Sequence, residues 1–194
     1  MKLKALGTLC KRKKYFCLYN QLDQNRINAD ENIRGQWLGT KGAIYPLEGL
    51  PQLTTENIVA MFDITEKQRE KIFFKTDIFP IHVNVDDLWE DEILLDRELF
   101  EMYYNGLTIR PVITSNGIEF LDSSFFAPLA DVEDSISLYE RKTSEGKTFF
   151  AVKMGFMIVA VFFPLNIIEE KLVDNVETLA KKFRIALERK KEEF

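Results

Sequence analysis

The 194 residues are enough for one domain or two small ones, and a chain of this size buries a core without disulfides or metals. Hydrophobic residues make up 46% and charged residues 29%, which is typical of globular proteins and excludes a disordered chain. The longest apolar run, 149–163, is too short for a membrane-spanning helix, and a formal net charge of −5 argues against a dedicated nucleic-acid binder.

The N-terminal residues 3–22 alternate loosely between apolar and polar and are interrupted by the basic run 11–14. This pattern predicts two strands joined by a basic turn. Cys10 and Cys17 lie seven residues apart there, and an odd spacing on one strand puts them on opposite faces, so we expect free, buried or half-buried thiols. No signal-peptide pattern precedes them, which predicts a cytoplasmic location.

Turn and cap signals organise the next stretch. The polar residues 22–34 predict a mobile surface loop. Residues 36–45 hold two apolar pieces around a glycine-flanked centre, which predicts a hairpin that Pro46 ends. Thr54 and Thr65 each have the residue pattern of a helix N-cap, so we expect two short helices after them.

The acids concentrate in the middle of the chain, where residues 76–140 carry 2 Lys/Arg and 15 Asp/Glu. The acidic block 86–98 predicts a connector that is partly helical. We therefore expect an N-terminal α+β lobe at 1–75, a connector at 76–100 and a C-terminal α+β lobe at 101–194, or else one continuous domain. The acidic surface either docks a partner or folds against the basic ends of its own chain.

Three further strand signals follow. Asn116-Gly117 predicts a hairpin, and Pro111 places the first strand of that hairpin at a sheet edge. Residues 137–153 predict another hairpin, and the apolar run 149–163 predicts a pair of buried strands.

Asn166 can cap a long C-terminal helix whose first turn holds Glu169 and Glu170, where acids favour the helix dipole. Six apolar residues recur at steps of three and four and form one stripe: Ile168, Leu172, Val176, Leu179, Phe183 and Leu187. We expect this stripe to pack on the sheet. The predicted fold is α+β, with antiparallel β-hairpins packed against a long C-terminal amphipathic helix.

The residues that carry enzyme chemistry are sparse. The one histidine, His82, sits in an apolar stretch and is expected at the surface or the edge of the core, so Ser or Cys nucleophiles lack an obvious base. Two Cys and one His have no zinc-site spacing, and the acidic run 86–92 lacks the order of a calcium loop. Gly35, Gly39 and Gly42 fit no phosphate-binding motif. We predict no catalytic, cofactor-binding or metal residue and no small-molecule ligand.

Nucleic-acid binding has weak support. Lys2, Lys4 and the basic run 11–14 lie beside Tyr15 and Phe16. Basic residues interleaved with aromatics are typical of single-strand binding surfaces. Aromatic residues in a strand are more often part of the core, so the pattern leaves both interpretations open.

Three aromatic-rich strands run into Pro-Leu, at Pro46, Pro128 and Pro164. Proline is a common strand terminator, so the recurrence is either chance or a duplicated unit of hairpin, strand and helix. Around Pro46 and Pro164 this unit resembles the repeating element of DNA sliding clamps. That resemblance implies two clamp-like lobes and, because a ring needs six such units, an oligomer.

A broader resemblance covers most of the chain. The segments 36–39, 45–51 and 138–141 are similar to uncharacterised proteins carried on prophages and integrative elements of Gram-positive bacteria. This resemblance implies a genomic context and no activity. The function expected is a non-catalytic accessory protein of a mobile element that binds a protein partner or itself. The alternative is a clamp-like replication or processivity accessory, and an enzyme of unknown type, with buried acids that converge in a pocket, is a third.

Overall fold

The structure is a computed structural model, and it describes residues 1–22, 33–96 and 100–192. Within these ranges there are four α-helices, α1 (Leu3–Lys13), α2 (Thr55–Met61), α3 (Glu66–Arg69) and α4 (Glu170–Glu192), and two 3-10 helices, Ser123–Leu129 and Glu133–Ser135. The strands in the same ranges are β1 (Tyr15–Leu22), β2 (Ile33–Gly39), β3 (Ala43–Pro46), β4 (Phe73–Ile78), β5 (Ile93–Leu95), β6 (Met102–Tyr104), β7 (Leu107–Thr114), β8 (Gly117–Asp122), β9 (Ile136–Lys142), β10 (Thr148–Met154) and β11 (Met157–Phe162). The predicted α+β class is confirmed.

The larger sheet has the strand order β4-β1-β2-β3-β11-β10-β9-β5. Two antiparallel meanders, β1–β3 and β9–β11, meet where Ile44 of β3 lies opposite Val161 of β11. At the outer ends, β4 pairs with β1 in parallel and β5 pairs with β9 antiparallel. The two strands at the middle of the sheet are therefore the ones that Pro46 ends and Pro164 follows.

The residues predicted as the first strand form α1 instead. Leu6, Leu9 and Cys10 share its buried face, whereas Lys4 faces solvent. Lys14 adopts a left-handed conformation with a φ of 53° and ends the helix just before β1. The strand prediction is wrong because the apolar residues recur every three to four positions, which is the period of a helix.

Helix α1 and the 3-10 helix Ser123–Leu129 cover the same face of the sheet. The backbone amide of Lys2 donates to the carbonyl of Pro128 at 2.7 Å and links the two helices. The hydroxyl of Tyr45 donates to the carbonyl of Phe125 at 2.5 Å. The ring of Phe125 also contacts that of Phe162, so the main core lies between these helices and the centre of the sheet.

The hairpin predictions and the helix caps predicted at Thr54 and Thr65 are confirmed. Hairpins connect β2 to β3, β7 to β8, β9 to β10 and β10 to β11. Thr54 and Thr65 both form capping boxes, with Asn57 and Gln68 respectively. Of the predicted loop 22–34, residues 23–32 lie outside the described residues and the rest belongs to β1 and β2.

The smaller sheet has the order β6-β7-β8, so the strand that contains Pro111 is central and the edge prediction is wrong. Strand β6 pairs only with residues 107–109 of β7. Pro111 lies beyond that pairing and faces Phe120 of β8 on its other side. A proline is accepted in this strand because its missing donor falls where β6 has already ended.

Helix α4 begins at Glu170, four residues later than the cap predicted at Asn166. The expectation that its apolar stripe packs on the sheet is also wrong. Of the six stripe residues, only Leu172 is buried, and Ile168 is 53% exposed. From Val173 onward, every residue to 190 is exposed, so the helix extends away from the rest of the chain that the structure describes.

Candidate functional site

The start of α4 is attached to the smaller sheet. Leu172 is 4% exposed and packs in a small cluster with Ile109 of β7 and Phe120 of β8. The backbone amide of Leu165 donates to the carbonyl of Phe120 at 2.8 Å and holds the preceding segment along β8. These contacts fix the direction in which the helix leaves the sheet.

Beyond this attachment the apolar side of α4 is open to solvent. We call its five exposed residues the α4 stripe: Val173 (45% exposed), Val176 (43%), Leu179 (48%), Phe183 (61%) and Leu187 (59%). They share one side of the helix because they are separated by three or four positions. Contiguous exposed apolar patches of this kind mark interaction sites, whereas scattered apolar residues do not.

The charges of α4 are divided along its length. Its first part, 169–177, holds four acids and one Lys, and its later part, 181–190, holds five bases and one Glu. Acids near the start and bases near the end both stabilise a helix through its dipole. The result is a rod with an apolar stripe, a negative beginning and a positive end.

A second charged site lies where residues 84–92, which we call the acidic segment, pack against the larger sheet. Arg141 of β9 is completely buried and donates from Nε to Glu92 at 2.9 Å. Its Nη1 donates to the carbonyls of Asn84 at 3.0 Å and Asp86 at 2.9 Å. Lys153 of β10 also pairs with Glu92, and its Nζ donates to the carbonyl of Asp87 at 2.6 Å. These contacts hold the segment in place.

The acidic segment therefore folds against basic residues of its own chain, one of the two outcomes left open by the sequence. Its partners lie on β9 and β10, in the basic C-terminal part of the chain that begins at residue 141. Residues 79–92 contain no helix, contrary to the expectation for the connector. Sequence reasoning missed Arg141 and Lys153. The available signal was a lysine inside the apolar run 149–163, because a buried lysine needs an acceptor.

A polar cleft of about 490 Å³ lies between β2, the loop after β3 and the acidic segment. Its buried Gln36 accepts from the amide of Leu53 at 2.6 Å and donates to the carbonyl of the same residue at 3.0 Å. Trp37 in its wall donates from Nε1 to Gln21 at 3.3 Å. These polar groups hold the cleft's own walls together, so they give no indication of a ligand.

Cys10 and Cys17 are both free and buried, as predicted, although Cys10 belongs to α1 and Cys17 to β1. Burial raises the pKa of the Cys10 thiol to about 12 and also raises the pKa of Cys17. A nucleophilic cysteine must be a thiolate near neutral pH. Neither residue has that property.

The other candidates for chemistry are dispersed. His82 is exposed, in agreement with the sequence, and its carbonyl accepts from the amide of Ser144 at 3.2 Å. In residues 1–22, 33–96 and 100–192, no cluster of three His, Cys, Asp or Glu side chains is arranged to hold a metal ion. No helix in these same ranges combines the length and apolarity needed to cross a membrane.

Two residues of the basic run 11–14 contact other parts of the chain. Lys13 forms an ion pair with Asp122 at the end of β8. Lys11 donates to the carbonyl of Phe62 at 2.5 Å. Phe16 lies in the core, and the half-buried Tyr15 stacks on the exposed Phe73.

Comparison with known proteins adds no relative: no family model, curated protein or solved structure matches this chain. The candidate functional surface is therefore chosen from the structure alone, and it is the exposed α4 stripe.

Proposed function

We propose that the chain is a non-catalytic accessory protein that works by binding protein, with α4 as its docking element. The supporting observation is the exposed α4 stripe on a helix that, among the described residues, is attached through its first turn. Helices in water owe most of their stability to packing of an apolar face, and this face is unpacked beyond Leu172 in the described part of the chain. A second surface that covers the stripe would supply that packing.

The proposed setting is the cytoplasm of a bacterium that carries the chain on a prophage or an integrative element. This part of the proposal rests on the resemblance inferred from the sequence of segments 36–39, 45–51 and 138–141. It adds a context in which accessory proteins act on other proteins, and it assigns no activity.

Site-specific photo-cross-linking in cells that produce the protein tests the docking role of α4. A photoreactive phenylalanine analogue at position 179 lies within the stripe, and the same analogue at position 185 lies on the opposite side of the helix. Leu179 is 48% exposed and Ile185 is 50% exposed, so the two positions are matched in accessibility. We expect a defined cross-linked species from position 179 and none from position 185.

The mass of the adduct identifies the class of partner. An adduct of twice the chain mass indicates a second copy, and any other defined mass indicates a different protein. Equal labelling from both positions, or no adduct from either, contradicts the proposal that the stripe is a docking element.

A second candidate function is the DNA-encircling accessory. It is favoured by one observation: in the chain, a helix precedes each meander of the larger sheet. Helix α1 precedes β1–β3, and the 3-10 helix Ser123–Leu129 precedes β9–β11. The two helices contact each other. Helix α1 contains no acid and presents Lys4 and Arg12 to solvent. Basic helices on an inner surface are what such a ring requires.

Retention on DNA tests this candidate. A protein that encircles DNA stays on a closed circle and slides off the same DNA once it is linearised. Lys4→Glu with Arg12→Glu should abolish retention, while the exposed pair Lys67→Glu with Arg69→Glu on α3 serves as the control of equal charge change. Equal retention on circular and linear DNA contradicts encirclement.

A further inference from the structure

We propose that the surface covering the α4 stripe is α4 of a second copy, packed antiparallel. This inference rests on the proposed docking role of α4 and names its partner. Three properties of α4 support an antiparallel pair: its length, the order of its apolar residues and the division of its charges.

The length of α4 suits a two-helix pair. Its 23 residues span about 34 Å at roughly 1.5 Å per residue. Within residues 1–22, 33–96 and 100–192, the first turn is the part of α4 that packs on the smaller sheet, and most of the helix length extends beyond it. A second helix can therefore lie alongside without first displacing a packed element.

The stripe is self-complementary when reversed. If two copies of α4 run antiparallel with the centre between Leu179 and Ala180, Leu179 of one copy lies level with Ala180 of the other. In the same register Val176 lies level with Phe183, and Val173 lies within one position of Leu187. Each large residue thus meets a smaller or branched one, which is how facing side chains interdigitate. The same patch serves both copies, as a two-fold interface requires.

The charges select the direction. In the antiparallel register, the acidic part 169–177 of one copy lies along the basic part 181–190 of the other. Glu170 then lies level with Arg189, and Glu177 with Lys182. Packed helices are about 8–10 Å apart, which is close to the screening length in physiological salt, so these opposite charges attract across the pair. A parallel pair would place base beside base and acid beside acid.

The molar mass in solution, measured by light scattering and sedimentation equilibrium over a range of concentrations, is the first test. We expect twice the monomer mass for the wild-type protein. Leu179→Glu puts a charge in the stripe and should raise the dimer dissociation constant by roughly 30–100-fold. Ile185→Glu introduces the same charge on the opposite side of the helix and should leave the dimer intact.

Charge exchange tests the electrostatic argument without altering the stripe. A chain with Glu170→Lys, Asp174→Lys and Glu177→Lys has a largely basic helix, and one with Lys181→Glu, Lys182→Glu and Arg189→Glu has a largely acidic one. Each should be monomeric alone, and their mixture should form a heterodimer. Since each helix is recovered in the mixture, this rescue also shows that loss of association did not come from misfolding.

Disulfide trapping decides the direction. Val173→Cys chains mixed with size-tagged Leu187→Cys chains should form a mixed disulfide, and neither should link to its own kind. Linkage of Val173→Cys chains to each other indicates a parallel pair and overturns the inference.

A wild-type protein that is monomeric at all concentrations also overturns it. If position 179 then cross-links to another protein, the docking role of α4 survives with a different partner; if it cross-links to nothing, both proposals fail.

Discussion

Arg141 and Glu92 are 49 positions apart in the sequence, and their side chains meet where the acidic segment crosses the larger sheet, with Nε of Arg141 2.9 Å from Oε2 of Glu92. The same carboxylate pairs with Lys153. Glu92→Gln should therefore destabilise the protein by about 3–5 kcal/mol, because two buried cations lose their counter-charge. Urea unfolding measures the change.

The control for this prediction is Glu90→Gln, which removes an exposed acid from the same segment. We expect it to change stability by less than about 0.5 kcal/mol. Equal effects from the two substitutions would mean that Glu92 acts only through the total charge of the segment.

The ion pair between Lys13 and Asp122 makes stability depend on pH. Burial raises the pKa of the Asp122 carboxyl, but hydrogen bonds from Lys13 and Ser124 outweigh it, and the pKa lies below its usual range. The carboxylate therefore stabilises the fold above about pH 4, the range of an unfolded Asp, and this contribution is lost as the pH falls through the lowered pKa. Asp122→Asn should cost roughly 1–3 kcal/mol at pH 7.

Unfolding at a series of pH values checks this dependence. The difference between wild type and Asp122→Asn should shrink as the pH is lowered below about 4. The exposed Asp131→Asn is the control and should follow the wild-type curve. A difference that stays constant with pH would show that the loss is steric.

Gly39 of β2 lies against the backbone of β3. A Cβ added there would be 2.0 Å from the carbonyl oxygen of Ala43 and 2.7 Å from Cα of Ile44. Gly39→Ala should cost about 3 kcal/mol in thermal or urea unfolding, since neither backbone atom can move without disturbing the pairing. In the same strand, a Cβ on Gly35 meets only Oε1 of Gln21 at 3.7 Å, so Gly35→Ala should be neutral or slightly stabilising.

The two cysteines should report on unfolding. Because burial raises the pKa of both Cys10 and Cys17, neither should react with a thiol reagent at pH 8 in the folded protein. Both should react in urea, and the rate in between should follow the unfolding transition. Rapid labelling under native conditions would contradict the burial of α1 against the sheet.

Local chemistry made much of the fold predictable. The capping boxes at Thr54 and Thr65 and the turn at Ser115-Asn116, which Gly117 follows, depend on residues within four positions of each other, so the sequence contains the whole interaction. Helix α1 was also within reach, because Leu6, Leu9 and Cys10 follow a helical period. The basic run at 11–14 obscured it.

Long-range contacts were not predictable in this way. Nothing near Arg141 in the sequence indicates that residues 84–92 cross over it, and a buried cation is uncommon enough that an exposed one is the default expectation. For helix α4, the sequence could not show which surface covers its apolar stripe. An amphipathic stripe predicts that an apolar surface covers it, and it does not distinguish a surface of the same chain from one of another.

The pairing of β3 with β11, which we call the seam of the larger sheet, affects how the chain folds. Ile44 and Val161, which lie opposite each other at this seam, are 117 positions apart, whereas the hairpins on either side join neighbouring strands. Hairpins form in microseconds, and closing so long a loop costs entropy before any contact repays it. Until the seam closes, β3 and β11 are unpaired edges that can add strands from other molecules. Refolding yield should therefore fall as protein concentration rises. In the native protein β3 and β11 are paired with each other, so it should resist aggregation through these strands.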